Sequence, residues 1–226
     1  MIRAVLFDVG GPLDTEVEHE RAIDADIRAA LAAEGYPATD AQYRAAERWA
    51  VACFAWNTYH AIIWQIAAPD VEACRRVAET VSARAGLRDL FQLRPGMDSL
   101  LERLHLGGLR LGLAANQRAS ALQRLDAAGI GRFFHYRDVS GTHSFHKPDV
   151  RLFLHACAAL DVSPDECIMV GDRVDNDIVP ARSLGMRTVL LRSGRHKDQQ
   201  PRTWEEVPDA EVTDVPGLEA AIERLT

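Results

Sequence analysis

The chain has 226 residues, 47% of them hydrophobic and 26% charged, enough apolar material for a core that needs no disulfide or metal staple. Twenty-six basic against 33 acidic side chains give a net charge of −7. That argues against a nucleic-acid or anionic-membrane surface, but not against a small anion held by a local cation.

Residues 3–8 form a short apolar run that ends in Asp8 and is followed by Gly10 and Gly11, the pattern of a buried parallel strand and a loop. Residues 16–94 contain no strand pattern. Ile23, Ile27 and Leu31 repeat every four residues, and Gly35-Tyr36-Pro37 and Pro69-Asp70 are breaks, so a bundle of short helices is expected. Trp49, Phe54, Trp56, Tyr59 and Trp64 read as its core. After Pro95-Gly96, Met97, Leu100, Leu101 and Leu104 follow helical spacing.

A strand is expected over 109–115, a helix over 121–128 closed by Gly129, a weaker strand over 134–139 and a helix over 152–160. A strand over 167–170, a helix over 178–184 closed by Gly185 and a strand over 187–192 come next. A polar loop over 194–209 precedes a short terminal strand and helix. Alternating strands and helices imply an α/β fold, a Rossmann-like parallel sheet with helices on both faces. The expected division is a core of residues 1–15 and 95–226 and a helical insertion of residues 16–94.

No apolar run spans a bilayer, and the first residues lack a signal-peptide pattern. Cys53, Cys74, Cys157 and Cys167 show neither Cys-x-x-Cys nor zinc spacing. Free thiols in a reducing, cytoplasmic compartment are the expectation.

Open parallel sheets bind ligands at the carboxyl ends of their strands, and the acids gather there. Asp8 closes the first strand, and Asp172 and Asp177 follow the strand over 167–170. Lys147, one of only two lysines, precedes Pro148 and a helix. Carboxylates with one lysine suit a hard divalent cation such as Mg2+ and a phosphorylated substrate.

Four motifs, Phe7-Asp8-Val9-Gly10-Gly11-Pro12-Leu13, Ala114-Ala115-Asn116, His146-Lys147-Pro148-Asp149 and Gly171-Asp172 through Asp177, resemble in order and spacing the haloacid dehalogenase-like (HAD) hydrolase superfamily. The resemblance covers essentially the whole chain and points to the phosphatase-type branch, in which the helical insertion is a cap domain. It implies Asp8 as a nucleophile that forms an aspartyl-phosphate. It further implies Mg2+ held by Asp8, the Gly10 carbonyl, Asp172 and Asp177, the last as an extra ligand or through metal waters. Lys147 would neutralise charge beside Asp8, and Gly11, Asn116 and Lys147 would contact phosphate, Asn116 through its side chain or backbone N–H. The partner would be a small phosphorylated metabolite, with no nucleic acid or membrane and with a monomer or homodimer as the assembly.

Three positions depart from that pattern. The second Asp of the family's first motif, which protonates the leaving group, is Gly10 here, and proton transfer of that kind is worth about 10²–10⁴ in rate. The usual hydroxyls are replaced by Pro12 and Ala115. Three readings follow. The substrate has a good leaving group, such as an acyl or anomeric phosphate; or Asp14, Glu16, His19, a cap residue or, less readily, His143 or His146 stands in; or the protein binds phosphate with weak or no turnover. A metal-independent 2-haloacid dehalogenase is the alternative enzyme, although it would not be expected to keep both Asp172 and Asp177. Residues 16–94 contain no lysine, which argues against a Schiff-base phosphonate hydrolase.

Overall fold

A computed structural model describes residues 1–85 and 90–226. In chain order, β1 (Ala4–Phe7) is followed by α1 (Val17–Ala33), α2 (Asp40–Ala52), α3 (Thr58–Ala67) and α4 (Val71–Ala85). Then come α5 (Met97–Leu106), β2 (Arg110–Leu113), α6 (Ser120–Ala127), α7 (Arg151–Ala159) and β3 (Cys167–Gly171). The chain ends with α8 (Val179–Ser183), β4 (Arg187–Leu191), β5 (Ala210–Val212) and α9 (Val215–Leu225). Contacts divide the chain into two compact units, Met1–Thr15 with Gln92–Thr226, and Glu16–Phe91.

The first unit is built on one parallel sheet of order β2-β1-β3-β4-β5. β1 and β3 are buried along their whole length, as the apolar runs Ala4-Val5-Leu6-Phe7 and Cys167-Ile168-Met169-Val170 require of central strands covered on both faces. Ala4, Leu6, Cys167 and Met169 share one core with Leu152, Phe153, Ala156 and Leu160 around α7. Among the described residues all four cysteines are free thiols, and the buried sulfurs of Cys157 and Cys167 lie 3.6 Å apart. β1 leads on to β2 on one side and borders β3 on the other, so the strand order reverses direction between β1 and β3. Their carboxyl ends flank the crevice where ligands collect in such sheets.

Two elements differ from expectation. The segment 134–139 is not a strand; it contributes a single bridge, Tyr136 with Gly112. The N–H groups of His135 and Tyr136 both go to the Leu111 carbonyl, and the Asp138 carboxylate takes the Val139 N–H at 2.8 Å, so local bonds replace a continuing ladder. The helix expected over 178–184 starts earlier, as a π-helical turn over Val174–Ile178 leading into the short α8. The N–H groups of Asp177 and Ile178 both reach the Arg173 carbonyl, which widens the turn. Gly129 and Gly185 close α6 and α8 with positive φ as expected.

The second unit is helical. Thr39 and Gln42 form a reciprocal capping box at the start of α2, and Asn57 caps α3. Ile23, Ile27, Leu31, Tyr43, Ile62, Ile63, Val77 and Val81 form its core. The tryptophans expected in that core are outside it: Trp49 and Trp64 are each 42% exposed and Trp56 is 68% exposed.

Within the first unit, the chain ends at which the insertion leaves and returns are tied together. Thr15 N–H donates to the Gln92 carbonyl at 2.9 Å, Gln92 N–H donates to the Asp14 carboxylate at 3.0 Å, and Arg94 N–H donates to the Leu13 carbonyl at 2.8 Å. Among the described residues no helix is long and apolar enough to cross a membrane.

Candidate active site

Asp8 follows β1 directly, and its N–H donates to the Val170 carbonyl of β3 at 2.9 Å, which sets its side chain at the sheet edge. Its Oδ1 accepts from the Val9 N–H at 2.8 Å and faces Lys147 Nζ at 2.9 Å. Lys147 is fully buried and also donates to Asp177 Oδ1 at 2.6 Å. Burial, opposed by Lys147 and reinforced by Asp177, raises the Asp8 carboxyl to about 6. Burial alone would lower Lys147, but the charges of Asp177 and Asp8 outweigh it and hold the ammonium above its usual value.

Asp8, Asp172 and Asp177 each offer a carboxylate oxygen, and these atoms lie within 4.8 Å of one another. All are hard oxygen donors, with no imidazole or thiolate in the group, and that donor set fits a hard divalent cation. Asp177 is the most committed of the three. Its Oδ2 accepts from the N–H groups of Asp172 at 3.1 Å and Arg173 at 3.0 Å, while its Oδ1 holds Lys147.

Two glycines make room for these acids. Gly11 has φ +78°, and a Cβ there would lie 2.6 Å from Asp172 Cγ. At Gly171 the added carbon would lie 2.2 Å from Asp177 Cγ. Gly171→Ala should therefore displace the Asp177 carboxylate and lower stability by about 1–3 kcal/mol, the usual range for overpacking, in a chemical denaturation series. A variant within ~0.3 kcal/mol of the parent would contradict this close packing.

Asn116 brackets Lys147. Its Oδ1 accepts from the Lys147 N–H at 2.7 Å and its Nδ2 donates to the Lys147 carbonyl at 2.9 Å, which orients the lysine's backbone. Asp14 is buried, and its carboxylate accepts from the Gln92 backbone. Glu16 holds the left-handed residue before α1 without a side-chain capping bond. His143 stacks on Phe145 at 4.8 Å and faces the Asp138 carboxylate at 2.8 Å, a local cluster of its own.

Three features escaped the sequence reading. Arg94 donates through Nε to the Gly11 carbonyl at 2.9 Å and the Pro12 carbonyl at 3.2 Å, clamping the loop after Asp8. Arg173 and Asp175 are paired at 2.6 Å and largely buried, with 15% and 18% of their side chains exposed. Gln199 is buried against the same loop. An Arg between Leu93 and Pro95 and a Gln in a polar stretch carry no periodic signal that could have identified them.

Curated relatives match part of the chain. A glyceraldehyde 3-phosphate phosphatase of Methanopyrus kandleri is 39% identical over 107 residues, 47% of this chain and 44% of that protein. A phosphoserine phosphatase of Thermus thermophilus is 34% identical over 145 residues, 63% of this chain and 56% of that protein. The chain thus spans about half the length of the curated relatives it matches. Among solved structures, a predicted phosphoglycolate phosphatase from Haemophilus somnus superposes with a TM-score of 0.73 over 99% of this chain and 97% of that one, at 19% identity. A 2-haloacid dehalogenase from Pseudomonas syringae gives 0.63 over all of both chains, at 20% identity, so the structural likeness establishes the fold and does not separate the two chemistries. The haloacid dehalogenase-like hydrolase model matches residues 2–185, and with the acids and lysine gathered at the β1 and β3 ends the chain belongs to the haloacid dehalogenase-like hydrolases.

Proposed function

We propose that the protein is a Mg2+-dependent phosphatase acting on a small phosphorylated metabolite through an aspartyl-phosphate on Asp8. The observation that carries this reading is Lys147 Nζ, buried between Asp8 at 2.9 Å and Asp177 at 2.6 Å, beside three carboxylate oxygens within 4.8 Å. The phosphatase relatives support the reaction class.

Asp8, Asp172 and the Gly10 carbonyl would hold the cation, and Asp177, both of whose oxygens are engaged, would hold Lys147 and the loop in place. The cation would supply positive charge against the phosphoryl oxygens. A carboxylate oxygen of Asp8 attacks phosphorus, forming an O–P bond as the ester P–O bond breaks, and water then releases phosphate and restores the carboxylate. Lys147 stabilises the charge that collects on the transferred group. Gly10 has no side chain to protonate the leaving oxygen, which favours substrates whose leaving group is already acidic, such as acyl or anomeric phosphates.

The test is a screen of phosphorylated metabolites and para-nitrophenyl phosphate with Mg2+ and with EDTA. Phosphate release that needs Mg2+ is expected, and release that survives EDTA defeats the mechanism. Halide release from 2-chloropropionate in EDTA would identify a dehalogenase instead. Binding of Mg2+ and phosphate without turnover would identify a binding protein.

Ionisation of Asp8 gives a second test. A carboxyl raised to about 6 must lose its proton to ligate, so Mg2+ affinity should fall as pH drops through that range, with up to one proton released per ion bound below it. Calorimetry in buffers of different ionisation enthalpy measures this release. Proton-neutral binding at pH 5.5 would mean either that Asp8 is not a ligand or that its carboxyl is not raised in the metal-free protein.

A further inference from the structure

We infer that Gln199 is a positioning residue that fixes the shape of the acidic loop between Asp172 and Asp177. This inference rests on the proposed function for its meaning, but not for its geometry. The loop presents three consecutive backbone N–H groups that need acceptors. Those of Asp172 and Arg173 go to Asp177 Oδ2. The third, Val174 N–H, goes to Gln199 Oε1 at 2.8 Å, in a buried setting. The same amide donates through Nε2 to Asp175 Oδ1 at 3.2 Å. Asp175 is also held by Arg173, through Nε at 3.1 Å and Nη2 at 2.6 Å. These bonds keep Asp175 away from the group formed by Asp8, Asp172 and Asp177, although it lies between two of them in sequence.

Gln199 is 1% exposed and anchored from behind. Its N–H donates to the His196 carbonyl at 2.9 Å, and its carbonyl accepts from Arg192 Nη1. Arg192 in turn pairs with Glu211 of β5, Nε at 3.0 Å and Nη2 at 2.9 Å. A line of bonds thus runs from an outer strand through Arg192 and Gln199 to the backbone between the candidate ligand Asp172 and Asp177, which holds Lys147. Groups that orient metal ligands in this way typically matter about 10–100-fold in metal affinity.

The experiment compares the full chain with Gln199→Met, which keeps length and burial but neither hydrogen bond. A second variant, Gln200→Met, makes the same change at the exposed neighbouring residue, whose side-chain amide donates to the Asp198 carbonyl at 3.2 Å. Amide hydrogen exchange of the metal-free proteins comes first. Gln199→Met should speed exchange over residues 172–177 by about 10-fold or more, and Gln200→Met should not. Unchanged exchange in Gln199→Met, or equal acceleration in both variants, overturns the inference.

Calorimetry with Mg2+ alone comes second. A dissociation constant raised about 10–100-fold in Gln199→Met, with Gln200→Met unchanged, is expected. Faster exchange with an unchanged constant overturns the link between Gln199 and ligand placement. Should the parent protein bind no Mg2+, the proposed function falls, and the exchange comparison still decides whether Gln199 shapes the loop.

Discussion

Lys147→Met should abolish turnover and also destabilise the metal-free protein by about 3–5 kcal/mol at pH 8, the cost of removing one partner from a buried ion pair. Lys147 is fully buried and holds two carboxylates, so its removal leaves Asp8 and Asp177 facing each other without compensation. The sign of the pH dependence follows from Asp8. Its folded-state carboxyl is already raised by burial, and loss of the lysine raises it further, so the folded variant holds a proton that the unfolded chain releases. The deficit should therefore be largest above pH 6 and shrink as pH falls towards 4. Denaturation midpoints of parent and variant across pH 4–8 measure it. A deficit independent of pH would show that the lysine contributes packing rather than charge.

Asp8→Asn should eliminate activity, by about 10⁴-fold or more, while making the metal-free fold more stable at neutral pH, because the amide has no anionic oxygen to attack phosphorus. Stability moves the other way because the Asp8 carboxyl, at its usual value of 3.8 when unfolded, is raised to about 6 by burial when folded. The folded state binds the extra proton between those values, so the carboxylate costs stability increasingly as pH rises from about 4 to about 6, by on the order of 1–3 kcal/mol. The neutral amide removes that cost, so the variant should gain at pH 8 and match the parent near pH 4. Lys147 keeps Asp177 as its partner in either case. An inactive protein that is less stable than its parent at pH 8 would mean that the Lys147 contact outweighs burial at this position.

Much of the architecture follows from local patterns. Short apolar runs that end in acids mark β1 and β3, because a strand covered on both faces admits no polar residue until it leaves the sheet. The same rule places Asp8 and Asp172 at one edge. Lys147 stands out through composition, being one of two lysines. What sequence did not show depends on distant partners. Gln199 meets Val174 across 25 positions, and Arg94 meets Gly11 across 83, and neither separation leaves a periodic trace. The strand expected over 134–139 failed because Asp138 bonds to its own backbone neighbour, a competition that hydrophobic pattern does not encode. The tryptophans are exposed although apolar, because apolar character says that a side chain can be buried, not that it is.

The hydrogen bonds that join Thr15 to Gln92 and Leu13 to Arg94 make the entry and exit of the helical insertion a single sealed doorway. The sheet's connectivity is complete without what lies beyond that doorway, and the entropy of closing a loop there grows only slowly with its length. Helical segments of other sizes and sequences can thus be accommodated at this point without breaking the sheet.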